Sequence, residues 1–277
     1  MPYPRVVATL GAALLASPLP TAASRAPMPK PPVVEVVAAD FAFPSLSSRT
    51  APAGPITFRV TNTGKVLHMM GVIWLGQHTT ADFVTALRNK TGIDGTYEVG
   101  GPNGIAPGET VESTVILPAG HVMLVCWVDG ENEPMHVTKG MFTDFDVTPA
   151  AGDPAHEPAA DATITLKDYA ITLSGQLAAG HHVFRIDNAG PSSHDLVVLR
   201  MAKDATVDDI WAWIKHPEQG SPRAAPVGGS VGFDPAHHTY LSVDLTPGRY
   251  AMICIIPDDK NVPHFAGHGM MTEVEVK

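Results

Sequence analysis

Two cysteines, Cys126 and Cys254, stand at matching places in two versions of one ordered series. Nine residues separate Cys126 from His136 and four more separate His136 from Met141, with His68 upstream. In the second version nine residues separate Cys254 from His264 and five separate His264 from Met270, with His194 upstream. One thiolate and two imidazoles in a near-trigonal plane, with a weak thioether on the axis, suit a copper ion that alternates between Cu(I) and Cu(II). Metal binding would keep each cysteine deprotonated, because the thiolate is the ligand. A disulfide is the commoner use of cysteine in exported proteins. Here it would need two equivalent strand ends of separate domains to meet within about 7 Å. A buried inert thiol is the plainer alternative.

The elements that must position these residues are also duplicated. Asp40-Phe41-Ala42-Phe43 recurs as Asp168-Tyr169-Ala170-Ile171, and Phe58 to Gly64 recurs as Phe184 to Gly190. Leu117 to Cys126 matches Leu245 to Cys254, and Gly140-Met141 matches Gly269-Met270. Apolar residues alternate in Phe145/Val147, Val274/Val276 and Ile164/Leu166, the mark of strands with one face inward. Val122 to Val125 and Ala251 to Ile253 are apolar throughout, as expected of central strands. One helix is predicted per copy, around Thr80 to Lys90 and around Thr206 to Lys215, the second with Thr206 as N-cap. With frequent Gly and Pro (25 and 26), the chain reads as all-β: two tandem Greek-key β-sandwiches, each with one short helical insertion. The first domain spans 33–148 and the second 161–277; the Pro-, Ala- and Gly-rich stretch 149–160 reads as a solvated linker.

These features resemble the cupredoxins, the blue-copper superfamily of plastocyanin and azurin. The segment Cys126 to Met141, with its Pro-x-His-Val-x-x-Gly-Met ending, is similar to the type 1 copper loop of copper nitrite reductases. The resemblance implies that His68, Cys126, His136 and Met141 bind copper in domain one, and that His194, Cys254, His264 and Met270 do so in domain two, giving up to two mononuclear ions. His268, two residues before Met270, stands as an alternative to His264. After the first histidine many cupredoxins carry Asn, which ties the ligand loops together; this chain has Met69 or Asp195.

Residues 1–23 have the charged, apolar and small-residue order of a secretory signal, and 24–32 read as a Pro-rich lead-in with no packing role. The expectation is a periplasmic or secreted protein with no membrane span once the signal is removed. The formal charge of -10 argues against nucleic acid and favours a basic redox protein as partner. Val125 and Trp127 flank Cys126, Ile253 and Ile255 flank Cys254, and no His-x-His pair occurs. A second kind of copper site is therefore not expected, and the chain is expected not to be an enzyme. The adjacent pairs His181-His182 and His237-His238 point to opposite faces of a strand and read as surface histidines. Single-electron transfer is the leading reading; a copper carrier or a metal-free interaction module are the alternatives.

Overall fold

Apolar residues two apart fix the strand faces, and buried glycines let strands approach one another. A computed structural model describes residues 29–129, 133–152, 155–215 and 223–277. The signal reading of 1–23 and the lead-in up to residue 28 lie outside the described residues. The first half runs β1 (Val33–Ala39), β2 (Ala42–Leu46), β3 (Thr50–Pro52), β4 (Gly54–Asn62), β5 (Gly71–Gly76), α1 (Thr80–Asn89), β6 (Tyr97–Glu98), β7 (Thr110–Leu117), β8 (Gly120–Val125) and β9 (Phe142–Thr148). The second runs β10 (Ala162–Lys167), β11 (Ala170–Leu173), β12 (Gly180–Asn188), β13 (His194–Met201), α2 (Val207–Lys215), β14 (Ala224–Phe233), β15 (His238–Leu245), β16 (Gly248–Ile253), α3 (His264–His268) and β17 (Met271–Val276). Both predicted helices are present. Thr79 caps α1 through a reciprocal pair with Asp82, and Thr206 and Asp209 make the same pair at α2.

An eight-stranded sheet, ordered β11-β10-β12-β15-β7-β4-β1-β2, runs through both halves. One outer sheet, β3-β9-β8-β5-β6, covers the first half of it, and another, β14-β13-β16-β17, covers the second. The apolar strands β8 and β16 are central in these outer sheets, as their sequences predict. The halves join where β7 pairs antiparallel with β15, with Thr239 opposite Val115, Leu241 opposite Ser113 and Ser242 opposite Glu112. Leu241 is the repeat counterpart of Ser113, so the junction is symmetric about that pair. Ile56, Phe58 and Val60 of β4 and Phe184 and Ile186 of β12 lie in one continuous core that also contains both cysteines.

Two sequence expectations change here. The linker is not a free tether, because Glu157 docks on the second half: Tyr240 donates to its Oε2 at 2.5 Å, and His238 Nε2 lies 2.9 Å from it. The lead-in is also anchored, since the carbonyls of Pro29 and Pro32 accept from His156 and Thr57. Pro and Ala composition predicts weak packing, and it does not register single backbone acceptors or one well-placed carboxylate. Among the described residues no helix is long and apolar enough to cross a membrane.

Candidate metal centres

The upstream histidine of each half is placed by a buried asparagine. Asn62, at the end of β4, donates from Nδ2 to the Val66 and Ile105 carbonyls at 2.8 Å and accepts from Gly64 N–H at 2.8 Å. The loop so closed delivers His68, whose N–H donates to the Ile105 carbonyl. Asn188 repeats every bond, to Ser192, Phe233 and Gly190. The glycine of each Asn-x-Gly is required by close approach: a Cβ on Gly64 would lie 2.3 Å from Asp40 Oδ1, and one on Gly190 2.7 Å from Asp168 Oδ1.

The downstream donors come from one backbone loop. Cys126 follows β8; its N–H donates to the Met141 carbonyl, and Met141 N–H donates to the His136 carbonyl. His136 opens a 3₁₀ turn that Gly140 ends in the left-handed region, with φ of 101°. Cys254, His264 and Met270 repeat these bonds, with α3 in place of the 3₁₀ turn and Gly269 at its end. Met141 and Met270 are thereby tied by backbone to the cysteine and histidine they accompany, and both are fully buried.

The result is two similar triangles of donor atoms. Cys126 Sγ lies 3.9 Å from His68 Nδ1 and 3.5 Å from His136 Nδ1, and the two ring nitrogens are 3.2 Å apart. In the second half Cys254 Sγ lies 3.8 Å from His194 Nδ1 and 3.5 Å from His264 Nδ1. A metal bonded at about 2.0–2.3 Å to three donors near 120° apart would separate them by about 3.5 Å. The spacing therefore fits an ion at the middle of either group, and each group could hold one. Burial lowers the pKa of His68 and His264, and brings His136 down to about 4 with help from His68. Their lone pairs are thus free at neutral pH. Burial raises the Cys126 thiol to about 11, opposed by the backbone N–H groups of Met69 and Val128 that face the sulfur. Metal entry must therefore displace a proton. A sulfur and two imidazole nitrogens, with a buried methionine tied to them through the backbone, make a donor set suited to copper in both oxidation states.

Three features were not anticipated from sequence. Carboxylates sit behind the upstream histidines: Asp168 Oδ1 lies 2.5 Å from His194 Nε2, while Asp40 Oδ1 lies 3.4 Å from His68 Nε2. The Asp168 contact is a hydrogen bond and fixes the His194 ring's tautomer and orientation, whereas His68 Nε2 has no hydrogen-bond partner among the described residues. The Asp that heads each repeated block was the visible signal. Phe41 and Tyr169 set their ring edges against His136 and His264, each at 4.9 Å between centroids. Asp195, beside the second sulfur, accepts from Ile255 N–H and pairs with Asn103 of the first half. Burial first, then the Asp195 charge, pushes the Cys254 thiol up strongly.

The structure brings His264, not His268, to Cys254. His268 is exposed, stacks on Tyr169 and pairs with Asp258 at 3.0 Å. The paired histidines stay apart from both triangles: His181 faces Asp244, His182 the Ala178 carbonyl, His237 stacks on Tyr97, and His238 meets Glu157. Both cysteines are free.

No protein-family model matches the chain, and no curated protein does. Solved structures do. An auracyanin from Roseiflexus castenholzii is 20% identical, covering 43% of this chain and 99% of its own, with a TM-score of 0.28. A multicopper oxidase is 15% identical over 88% of each chain, with a TM-score of 0.26. A copper-containing nitrite reductase from Thermus scotoductus is 12% identical over 88% of this chain and 61% of its own, also with a TM-score of 0.26. The oxidase and the reductase are enzymes by name, which corrects the expectation that the chain is not one. Lacking His-x-His excludes only a metal held by sequence neighbours; donors from separate strands converge, as the two triangles do. The reading of the centres stands on their own donors and distances.

Proposed function

We propose that the chain is an exported copper protein with one mononuclear type 1-like site per half, acting in single-electron transfer. One observation carries this reading: a sulfur and two imidazole nitrogens converge twice, at the same strand ends. When bound, copper would supply the one-electron couple. Cys126 and Cys254 would hold it through thiolate sulfur, His68/His136 and His194/His264 through imidazole nitrogen, and Met141 and Met270 would offer a thioether. The asparagine-closed loops and the backbone bonds of the cysteine loop hold those donors in place without a metal, so little need move between oxidation states. His136 and His264, each 5% exposed, are the ring donors nearest solvent. Exposed Met135 and Val66 contribute apolar surface to the first half, and the net charge of -10 would steer a basic redox protein towards it. Complete burial of the sulfurs supports a resident ion over a cargo passed to another carrier.

The test is to express the chain from Ser24 onward, add Cu(II), remove the excess, and record metal content with the visible spectrum. A strong thiolate-to-copper band at up to two equivalents is expected. Bound but colourless copper would replace electron transfer with carriage, and absence of copper would leave a metal-free interaction module.

A further inference from the structure

The centres lie in different halves, yet a continuous line of covalent and hydrogen bonds joins them. Met69 and Met70 follow His68, the upstream donor of the first centre. Met70 N–H donates to the Pro102 carbonyl at 2.8 Å. Asn103 follows Pro102, and its Nδ2 reaches Asp195 Oδ2 at 3.4 Å. Asp195 Oδ1 accepts from Ile255 N–H at 2.8 Å, and Ile255 follows Cys254. Asp195 itself follows His194, the upstream donor of the second centre. Gly101 allows the approach, since a Cβ there would lie 2.1 Å from the Met70 carbonyl oxygen.

This bridge exists on one side only. His68 pairs with Ile105 as His194 pairs with Phe233, so the counterparts of Asn103 and Asp195 are Val231 and Met69. Those two belong to the apolar core. An apolar pair is thus compatible with the fold, whereas a buried carboxylate is costly when, among the described residues, its hydrogen-bond partners are neutral. Asn103 is itself 1% exposed, and its second bond goes to the Ser230 carbonyl, again across the halves. The polar pair is an addition that the architecture does not need.

Resting on the copper reading above, we infer that Asn103 and Asp195 form a conduit for electron exchange between the two centres. One electron leaves one centre as it enters the other, oxidising the first and reducing the second by one unit. No proton moves, no bond breaks and no further reactant is required. Tunnelling falls off more slowly through bonds and hydrogen bonds than across van der Waals gaps, and the Asn103–Asp195 contact is the point where the chain of bonds crosses from one side-chain group to another. Asn103 acts here as a positioning residue, touching neither ion.

The test loads the chain with copper, reduces it with a substoichiometric pulse, and follows redistribution between centres by rapid-freeze electron paramagnetic resonance. In the wild-type chain the relaxation should be independent of protein concentration. Asn103→Leu should slow it measurably. Copper content and each centre's own band should stay unchanged. Asn103→Ser, smaller and polar, serves if the leucine variant does not fold. A rate proportional to protein concentration, an unchanged rate in the variant, or slowing accompanied by copper loss would each overturn the inference. A wild-type chain that takes up no copper would overturn the copper reading first, and metal content alone separates that outcome.

Discussion

The two centres share their geometry and differ in electrostatics. Both use an asparagine-closed loop, a cysteine after a central strand, and a backbone link from cysteine to methionine to histidine. Next to the first sulfur stands Met69, in the apolar core; next to the second stands Asp195, a buried carboxylate whose own pKa burial raises to about 6. A negative charge beside the thiolate favours the more positive ion, so the second centre should be the harder to reduce. The donor triangle is set by backbone devices that tolerate little change, while one neighbouring side chain adjusts its chemistry.

The sharpest way to break the comparison is to remove one sulfur. Cys126→Ser and Cys254→Ser should each cost one of the two ions and its visible band while leaving the other; losing both ions from either change would show that the centres are not independent. Next, Asp168→Ala should weaken metal binding at the second centre by about 10–100-fold. Asp40→Ala should cost the first centre less, because its contact is 3.4 Å against 2.5 Å; competition with a copper chelator measures both. Glu98 probes the ground between the halves, where the second copy has Pro226. Burial first, then the Asp234 and Asp195 charges, raise its pKa to about 7. Its stabilising contribution is present below the free value of 4.5 and is lost as pH climbs through 7. Glu98→Gln should then add about 3 kcal/mol of stability at about pH 8 and nothing near pH 4, read from urea unfolding of the metal-free chain. The smallest effect is the most specific: Asp195→Asn should raise the second centre's potential by roughly 60 mV, a tenfold change for a one-electron couple. An equal shift at both centres would remove the proposed cause of their difference.

The donors, the sandwiches and both helices were legible because each leaves a local mark. Cys126 to Met141 lies in one loop, and the strands announce themselves by alternating apolar residues such as Val34, Val36 and Ala38. Asp40 and Asp168 were visible as repeated residues, but their role depends on the parallel pairing of β1 with β4 and β10 with β12. No short-range pattern encodes that pairing. The Asn103–Asp195 contact spans 92 positions, and Asp195 by itself reads as a departure from the cupredoxin asparagine. The union of β7 with β15 was invisible for a different reason: an edge strand and a paired strand of the same face pattern have the same alternation. His264 and His268 could not be separated by spacing, and only the turn of α3, which aims one ring inward and the other at Asp258, distinguishes them.

The symmetric junction at Ser113 and Leu241 has the form of the interface in a homodimer, where the same strand of each subunit pairs with itself. In a true homodimer any substitution appears twice, so both metal environments would have to change together. Joining the copies in one polypeptide lifts that constraint and lets each site diverge alone. Met69 against Asp195, and Val231 against Asn103, are differences that two identical subunits could not hold.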